Sequence, residues 1–363
     1  MLRLAATLGV TAWLTAVPAA AQVPAAHAGV LVGLRNDEGT GFRTLWLAPG
    51  NGAFAATEVA HLIVPRRTGF WRLGVAEACS QGQWEMQEPG WALFLTEYLF
   101  AVPVDLEPVV EVDSTQQPAG ACRREPVVCE DRREARVEFV WPDYVSLDNR
   151  AVYECGVHPD AEVRYAVRSL DAVAERGLPL GDVLGLAATD AYVRAYRWAQ
   201  QQHLAMWEDT GSCEVFDPDE RNWRVVRDSA RWRVRGWGDT HRLCGVGFDV
   251  PVEVALPAAI VGGSGGERGL PASLTRRVPD LVDAFWSPAS ELALGVTAGE
   301  LLLLSRPLAT EGTAPLLRVP LGPREAVVLV EWATGSQVDR WTRELTRIAA
   351  RDFPAPRLVQ SNP

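Results

Sequence analysis

Residues 135–141 read Ala-Arg-Val-Glu-Phe-Val-Trp. Apolar side chains occupy every second position from Ala135 to Trp141, and Arg136, Glu138 and Val140 lie between them. Because successive side chains of an extended strand point to opposite faces, this pattern predicts a strand with one face in the core and one toward solvent. The stretch therefore favours β-structure over helix.

The same pattern recurs on both sides of this stretch. Short apolar runs separated by Gly, Pro and Asn predict further strands at residues 44–47, 71–75, 98–104, 163–167, 232–234, 246–254, 292–296, 301–304 and 326–332. Pro251 has no amide hydrogen, so its strand is expected at a sheet edge or to carry a bulge.

Two helices are predicted among the strands. Residues 188–206 carry one apolar face at helical spacing, formed by Ala188, Tyr192, Ala195, Ala199 and Met206. The second helix begins at the capping pattern Ser336-Gln337-Val338-Asp339 and has an apolar face of Val338, Trp341, Leu345 and Ile348. The fold class is therefore predicted as strand-rich α+β, with antiparallel β-sheets, a few packed helices and disulfide bonds.

Four regions are predicted along the chain. Residues 1–21 form a signal peptide, 22–134 an N-terminal β-rich region, 135–261 an α+β domain and 270–363 a C-terminal β-rich region with the closing helix. The polar, proline-containing stretch 112–135 is interpreted as a linker or long loop.

The start of the chain predicts export. Arg3 is followed by an apolar run over residues 4–17 and by the small residues Ala19-Ala20-Ala21 before Gln22. A run of about 14 residues is too short to cross a bilayer as a helix. The mature chain is expected in the periplasm or secreted, without a stable membrane anchor.

Composition excludes several function classes. All 35 basic side chains of the 363 residues are arginine, so chemistry that needs a lysine, such as a P-loop or a pyridoxal Schiff base, is excluded. The formal charge of −11 argues against a nucleic-acid partner. The histidines are scattered without metal-ligand spacing, and no cofactor motif is present, so neither a metal nor a cofactor is expected.

Six cysteines in an exported chain predict disulfides rather than zinc, because no pair has zinc-knuckle spacing. They are Cys79, Cys122, Cys129, Cys155, Cys213 and Cys244. Six cysteines allow fifteen pairings. Cys122 with Cys129 and Cys213 with Cys244 are the pairs that sequence proximity favours.

The middle of the chain resembles a known extracellular domain. Tyr144-Val145-Ser146, Gly156-Val157-His158-Pro159 and Leu170-Asp171 occur in its order, followed by an amphipathic helix and closing strands. Over residues 137–255 the chain resembles the domain of unknown function found in the lysozyme-sensing anti-sigma-V factor and beside cell-wall polysaccharide deacetylases. Cys155 departs from the pattern, which normally has glycine there. The resemblance implies a domain of the cell-envelope sensor type.

The flanking regions resemble β-propeller blades. Phe285-Trp286-Ser287-Pro288, with the runs 292–295 and 299–302, is similar to one strand-turn-strand blade. No repeat of about 40–50 residues is present, which a complete propeller normally shows. Flanking strands that pair into one sheet around an inserted domain are the alternative.

A possible catalytic serine lies in residues 262–266, which read Gly-Gly-Ser-Gly-Gly. A nucleophile elbow also needs a later histidine, and none follows His241. His61, Asp105 and Ser264 occur in the order of a trypsin-like triad, although the sequence context of that family is missing. A flexible Gly-Ser connection is the alternative interpretation.

Residues 223–237 combine five arginines and three tryptophans with one acid. Trp planes and Arg forks suit a sugar or protein partner, whereas strands with Trp inward and Arg outward are the structural alternative. The candidate binding residues are Trp223, Arg231, Trp232, Arg233, Arg235 and Trp237. The leading hypothesis is an exported, non-catalytic binding or sensor-type protein that recognises a protein or glycan of the bacterial cell envelope. The alternatives are an exported serine hydrolase that uses Ser264 and a propeller-like interaction scaffold.

Overall fold

Strands dominate the part of the chain that the structure describes, with 53% of those residues in strands and 18% in helices. The strand-rich α+β class with antiparallel sheets is therefore confirmed. The computed structural model describes residues 28–37, 39, 41–84, 90–122, 127–153, 164–205, 217–238, 247–257, 260–261, 270–288, 291–305 and 314–360.

The described residues form the following strands: β1 (Ala28–Arg35), β2 (Phe42–Gly50), β3 (Ala53–Val59), β4 (Leu62–Arg66), β5 (Gly69–Trp84), β6 (Gly90–Pro103), β7 (Val109–Val112), β8 (Gln117–Pro118), β9 (Val127–Trp141), β10 (Tyr144–Tyr153), β11 (Tyr165–Ser169), β12 (Trp223–Asp228), β13 (Arg231–Gly238), β14 (Phe248–Val252), β15 (Leu281–Trp286), β16 (Leu292–Thr297), β17 (Glu300–Ser305), β18 (Leu317–Pro320), β19 (Ala326–Thr334) and β20 (Arg357–Gln360). The helices are α1 (Leu180–Leu184), α2 (Leu186–Ala205), α3 (Ala272–Arg277) and α4 (Ser336–Ala349), with a short 3-10 turn at Ala119–Ala121.

The strands assemble into several sheets. The orders are β19-β1-β2-β3, β11-β10-β9-β6-β5-β4 with β8 beside β5, β12-β13-β14, and β15-β16-β17-β18. Neighbours are antiparallel except for β6 with β9 and β7 with β20, which are parallel. One apolar core contains side chains from all four of these sheets and from α2.

The first and last regions of the chain share a sheet. β1 pairs with β19 over its whole length, from Ala28 opposite Thr334 to Arg35 opposite Ala326. Both faces of β1 are buried, because the sheet lies between two core clusters. The pairing brings together residues about 300 positions apart in sequence.

Both predicted helices are confirmed, with one correction. The buried residues of α4 are the four expected, Val338, Trp341, Leu345 and Ile348. Ser336 is the first helical residue rather than the cap. The N-cap is Gly335, whose φ of 57° lies in the left-handed region that favours glycine, and no side chain caps this end.

The stretch at residues 135–141 is a strand, but its alternation is not continuous. Val137 opposes Leu147 and Phe139 opposes Ser146, so Glu138 is an extra residue in a β-bulge. Beyond the bulge, the side chains of β9 point to the opposite face from the one that alternation predicts. Val137 and Phe139 therefore pack in different core clusters. The prediction of a single continuous apolar face is wrong, because both faces of this strand are covered.

The linker predicted over residues 112–135 is also wrong. This stretch contains β8, the short 3-10 turn and the first half of β9, which pairs with β6 and with β10. Backbone hydrogen bonds on both sides override the weak strand preference of its charged residues. β9 thus runs through the boundary expected between residues 134 and 135.

Pro251 does lie in an edge strand, β14.

The Cys122–Cys129 disulfide favoured by proximity is not formed. Cys79 pairs with Cys122, 43 residues away, with a Cα–Cα distance of 6.1 Å. The pairing follows from the sheet, because β8 lies beside β5 at Cys79 and leads directly to Cys122. Cys129 is disulfide-bonded as well. Cys155, Cys213 and Cys244 lie outside the described residues.

Several predictions fall outside the described residues and remain predictions. They concern the signal peptide at residues 1–21, Ser264 with its glycine-rich surroundings, and the motif that contains His158. In the part of the chain that is described, no helix is long and apolar enough to cross a membrane.

Candidate functional site

The tryptophans of the predicted patch point mainly inward. Trp223 is fully buried and donates its indole N–H to the Leu178 carbonyl at 2.8 Å. Trp232 is 8% exposed and packs against Phe139 and Phe285. Strand alternation explains this arrangement, since these positions share the core face of β12 and β13. The expectation that Trp223 and Trp232 contact a partner is therefore wrong.

Four of the five arginines in residues 223–237 lie on the opposite face, whereas Arg227 shares the core face with Trp232 and pairs with Asp283. The face of β12–β14 that carries Arg231, Arg233, Arg235 and Trp237 is called the outer face below. Trp237 is half-buried there, with the Arg164 guanidinium 4.7 Å from its ring and Tyr165 edge-on at 5.6 Å.

Acids on the same face neutralise part of this positive charge. Arg235 contacts Asp249 at 2.9 Å and Asp228 at 3.0 Å. Arg233 lies 3.6 Å from Asp228, and hydrogen bonds from Ser229 and Arg235 hold the pKa of Asp228 below its ordinary value. The outer face is thus less positive than the sequence of residues 223–237 suggests.

Arg231 and Arg233 lie at a separate depression of the surface. It has a volume of about 400 Å³ and is also lined by Trp232, Glu253 and Leu256. Arg231 is exposed and forms no ion pair with the described residues. Its side chain is therefore open to solvent.

A larger group of arginines lies where the outer face meets the sheet of β9–β11. Two carboxylates, Glu138 and Asp148, each contact three guanidinium groups. The five arginines involved are Arg35, Arg136, Arg150, Arg164 and Arg224, and this set with its two acids is called the arginine cluster below. It holds three formal positive charges in excess.

Local structure explains how these side chains meet. Asp148 lies between Arg136 of β9 and Tyr165 of β11, and Glu138, two residues from Arg136, has its carboxylate on the same side of the sheet. Arg224 reaches both acids from β12, at 3.6 Å from Glu138 and 3.0 Å from Asp148. Its guanidinium also stacks on the Tyr165 ring at 4.0 Å.

Each remaining arginine of the cluster contacts one acid. Arg150 and Arg164 contact different oxygens of Asp148, at 3.1 and 3.2 Å. Arg136 and Arg35 lie 3.3 and 3.7 Å from the same Glu138 oxygen.

The cluster is buried at one end and open at the other. Arg35 and Asp148 are 2% and 1% exposed, whereas the Arg150 and Arg164 side chains are 42% and 35% exposed. Buried nitrogens of Arg35, Nε and Nη1, make no hydrogen bond within the described residues. Burying charge without full compensation is costly, so surplus guanidinium groups indicate a place where negative charge is favourable.

Burial also affects one acid of the cluster and one weak acid beside it. It raises the pKa of Glu138, although Arg224 and Arg136 act in the opposite direction. It raises the pKa of Tyr165 to about 12, so this hydroxyl stays protonated and can donate to Asp249 at 3.2 Å.

The histidine and aspartate of the triad hypothesis are not joined. His61 packs edge-on against Phe353, and burial together with nearby Arg72 lowers its pKa. Asp105 is exposed and contacts Arg347 and Arg351. No hydrogen bond links His61 to Asp105 among the described residues, and Ser264 lies outside them. The His–Asp pair expected of a trypsin-like triad is therefore absent from the described structure.

Comparisons with known proteins give no relative. No family model matches the chain, and neither the curated proteins nor the solved structures contain a significant match. In the described ranges, no group of three or more His, Cys, Asp or Glu side chains could hold a metal ion.

The sequence predicts part of the candidate site. Arg235 and Trp237 border the arginine cluster, but Arg35, Arg150 and Arg224 were not singled out. The sequence does indicate that Arg136, Glu138 and Arg164 occupy the polar positions of strands in which apolar and polar residues alternate. That alternation does not reveal which strands adjoin, so it could not show that these residues share two acids.

Proposed function

We propose that the chain is an exported, non-catalytic binding protein of the bacterial cell envelope, and that it recognises a negatively charged protein or glycan partner. The observation that carries this proposal is the arginine cluster, where five guanidinium groups share two carboxylates and two remain partly open to solvent. A positive site on a chain of formal charge −11 attracts anionic groups locally while the rest of the surface repels them.

The residue types beside the cluster support a recognition role. Trp237 presents an aromatic ring at its border, and Trp and Arg are enriched among the residues that dominate binding energy. The export signal, predicted from residues 1–21, supports a partner in the envelope.

Retention of the mature chain on envelope material tests the proposal. The purified chain is incubated separately with cell-wall glycan and with envelope protein fractions at low salt. We expect retention by at least one anionic fraction and release as salt is raised, because exposed charge contacts are screened. If none of the fractions retains the chain, the proposed function is contradicted.

A fluorophosphonate probe separates this proposal from the serine-hydrolase alternative. A binding protein should not be labelled, whereas a hydrolase that uses Ser264 should be labelled and should lose the label in Ser264→Ala.

A further inference from the structure

The arginine cluster has a defined geometry at its open end. Arg150 donates a hydrogen bond from Nε to one oxygen of Asp148 at 3.1 Å, and Nε of Arg164 lies 3.2 Å from the other oxygen in an ion pair without hydrogen-bond geometry. The Nη1 and Nη2 atoms of both side chains make no hydrogen bond or ion pair with the described residues. Two guanidinium edges beside one aspartate are thus left for another partner.

Neighbouring groups hold these two arginines in place. Asp148 is 1% exposed, and it accepts the hydrogen bond from Arg150 Nε and forms an ion pair with Arg164. Arg164 also lies on the Trp237 ring, with its central carbon 4.7 Å from the centroid. Guanidinium groups that are already oriented lose less conformational entropy on binding.

The charge of the cluster decides the sign of the ligand. The arginines exceed the acids by three, and Arg35 at the buried end has only a 3.7 Å contact to an oxygen of Glu138, which also lies near Arg136 and Arg224. An anion at the open end would offset this surplus. A cation would add to it and is therefore disfavoured.

The shape of the donors decides the chemical class of the ligand. Paired N–H groups of guanidinium match two oxygens of one carboxylate or phosphate, which a spherical halide cannot offer. We propose that Arg150 and Arg164 bind an oxyanion, a carboxylate or phosphate group carried by the envelope partner. This inference rests on the proposed function and names the chemistry by which that partner is held.

Binding of inorganic phosphate, acetate and chloride to the full mature chain tests the inference. Calorimetric titration and thermal unfolding are measured for the wild type at equal ionic strength. We expect saturable stabilisation by phosphate or acetate beyond that by chloride, and the stronger of the two identifies phosphate or carboxylate as the preferred group. Equal effects of all three anions on the wild type would overturn the inference.

Matched variants locate the binding. Arg150→Gln with Arg164→Gln should weaken oxyanion binding at least tenfold. Arg194→Gln with Arg197→Gln, which removes two exposed α2 arginines, should leave it unchanged. Retained binding in the folded first variant, or equal loss in both, would overturn the inference.

A conservative variant covers the case in which the first one does not fold. Arg150→Lys with Arg164→Lys keeps the charge beside Asp148 but loses the planar fork, so we expect at least threefold weaker binding. Unchanged affinity would overturn the inference. If envelope fractions retain the wild type while oxyanions do not bind, only this inference fails. If oxyanions bind and no fraction is retained, the proposed function fails instead.

Discussion

The Ser146 hydroxyl donates a hydrogen bond to the Val225 carbonyl at 2.8 Å and accepts one from the Val225 amide at 2.7 Å. Val225 belongs to β12, the edge strand of its sheet, so these backbone groups point away from β13. One side chain from the face of β10 therefore satisfies both polar groups and attaches the edge of the small sheet to the large one. The same junction brings Arg224 to Asp148.

Replacement of Ser146 by alanine tests this junction. Ser146→Ala would leave a buried N–H and a buried C=O without partners, and each such group costs about 1–3 kcal/mol. We expect the free energy of unfolding to fall by about 2–4 kcal/mol in urea titrations. The control Ser336→Ala removes an exposed hydroxyl and should change it by less than about 0.5 kcal/mol. A similar small loss in both variants would contradict the structural role of Ser146.

Because of Glu331, the free energy of unfolding is expected to depend on pH. It lies in β19 opposite Leu31, and burial raises its pKa to about 7 from an ordinary value of 4.5. The folded chain holds this proton up to about pH 7 and the unfolded chain releases it near pH 4.5, so the glutamate lowers stability progressively as pH rises through that window.

The variant Glu331→Gln cannot ionise and should remove this effect. We expect its free energy of unfolding at pH 8 to exceed that of the wild type by up to about 3 kcal/mol, because one pKa unit corresponds to about 1.4 kcal/mol. At pH 4 the two should be equally stable. Glu111→Gln, at an exposed site, serves as control. A difference that does not change between pH 4 and pH 8 would be inconsistent with a buried ionisable group at Glu331.

The Cys79–Cys122 disulfide can be tested by connectivity and by stability. Peptide mapping without reductant should recover Cys79 joined to Cys122, and a Cys122–Cys129 peptide would show that the described pairing is wrong. Cys79→Ala with Cys122→Ala opens a loop with a sequence separation of 43. Chain-entropy arguments then predict a loss of about 4 kcal/mol in the free energy of unfolding.

Two arginines of the outer face should contribute differently to the free energy of unfolding. Arg235 contacts Asp228 and Asp249, so Arg235→Gln should lower the free energy of unfolding by about 1 kcal/mol. Arg231 is exposed and has no ion pair among the described residues, so Arg231→Gln should be within about 0.5 kcal/mol of the wild type. Thermal unfolding of both variants at low and high salt checks this difference. Equal losses would mean that the ion pairs of Arg235 do not stabilise the fold.

Local sequence patterns predicted the elements better than their partners. The apolar face of α4 and the edge position of Pro251 could be predicted because both depend on residues close in sequence. The pairing of β1 with β19 could not, because many strands of similar composition compete over a separation of about 300 residues. The bulge at Glu138 was missed for a related reason: apolar residues on both sides of it fit an uninterrupted strand equally well.

The candidate site could be predicted only in part. The excess of arginine near Trp237 was visible, but burial of Trp223 and Trp232 depends on which face of β12 and β13 meets the core. The contacts of Asp148 with three arginines require β10, β11 and β12 to meet, and no local pattern specifies that meeting. Long-range packing, rather than composition, creates the arginine cluster.

Recognition of an oxyanion by Arg150 and Arg164 is tested by the affinity of the mature chain for two purified anionic polymers, one bearing phosphate and one bearing carboxylate groups. Titrations compare the wild type with Arg150→Gln/Arg164→Gln and with the control Arg194→Gln/Arg197→Gln. We expect at least one polymer to bind the wild type and the control equally, and to bind the Arg150/Arg164 variant at least tenfold more weakly. Equal affinity of all three proteins for both polymers, or no binding to either, would contradict it.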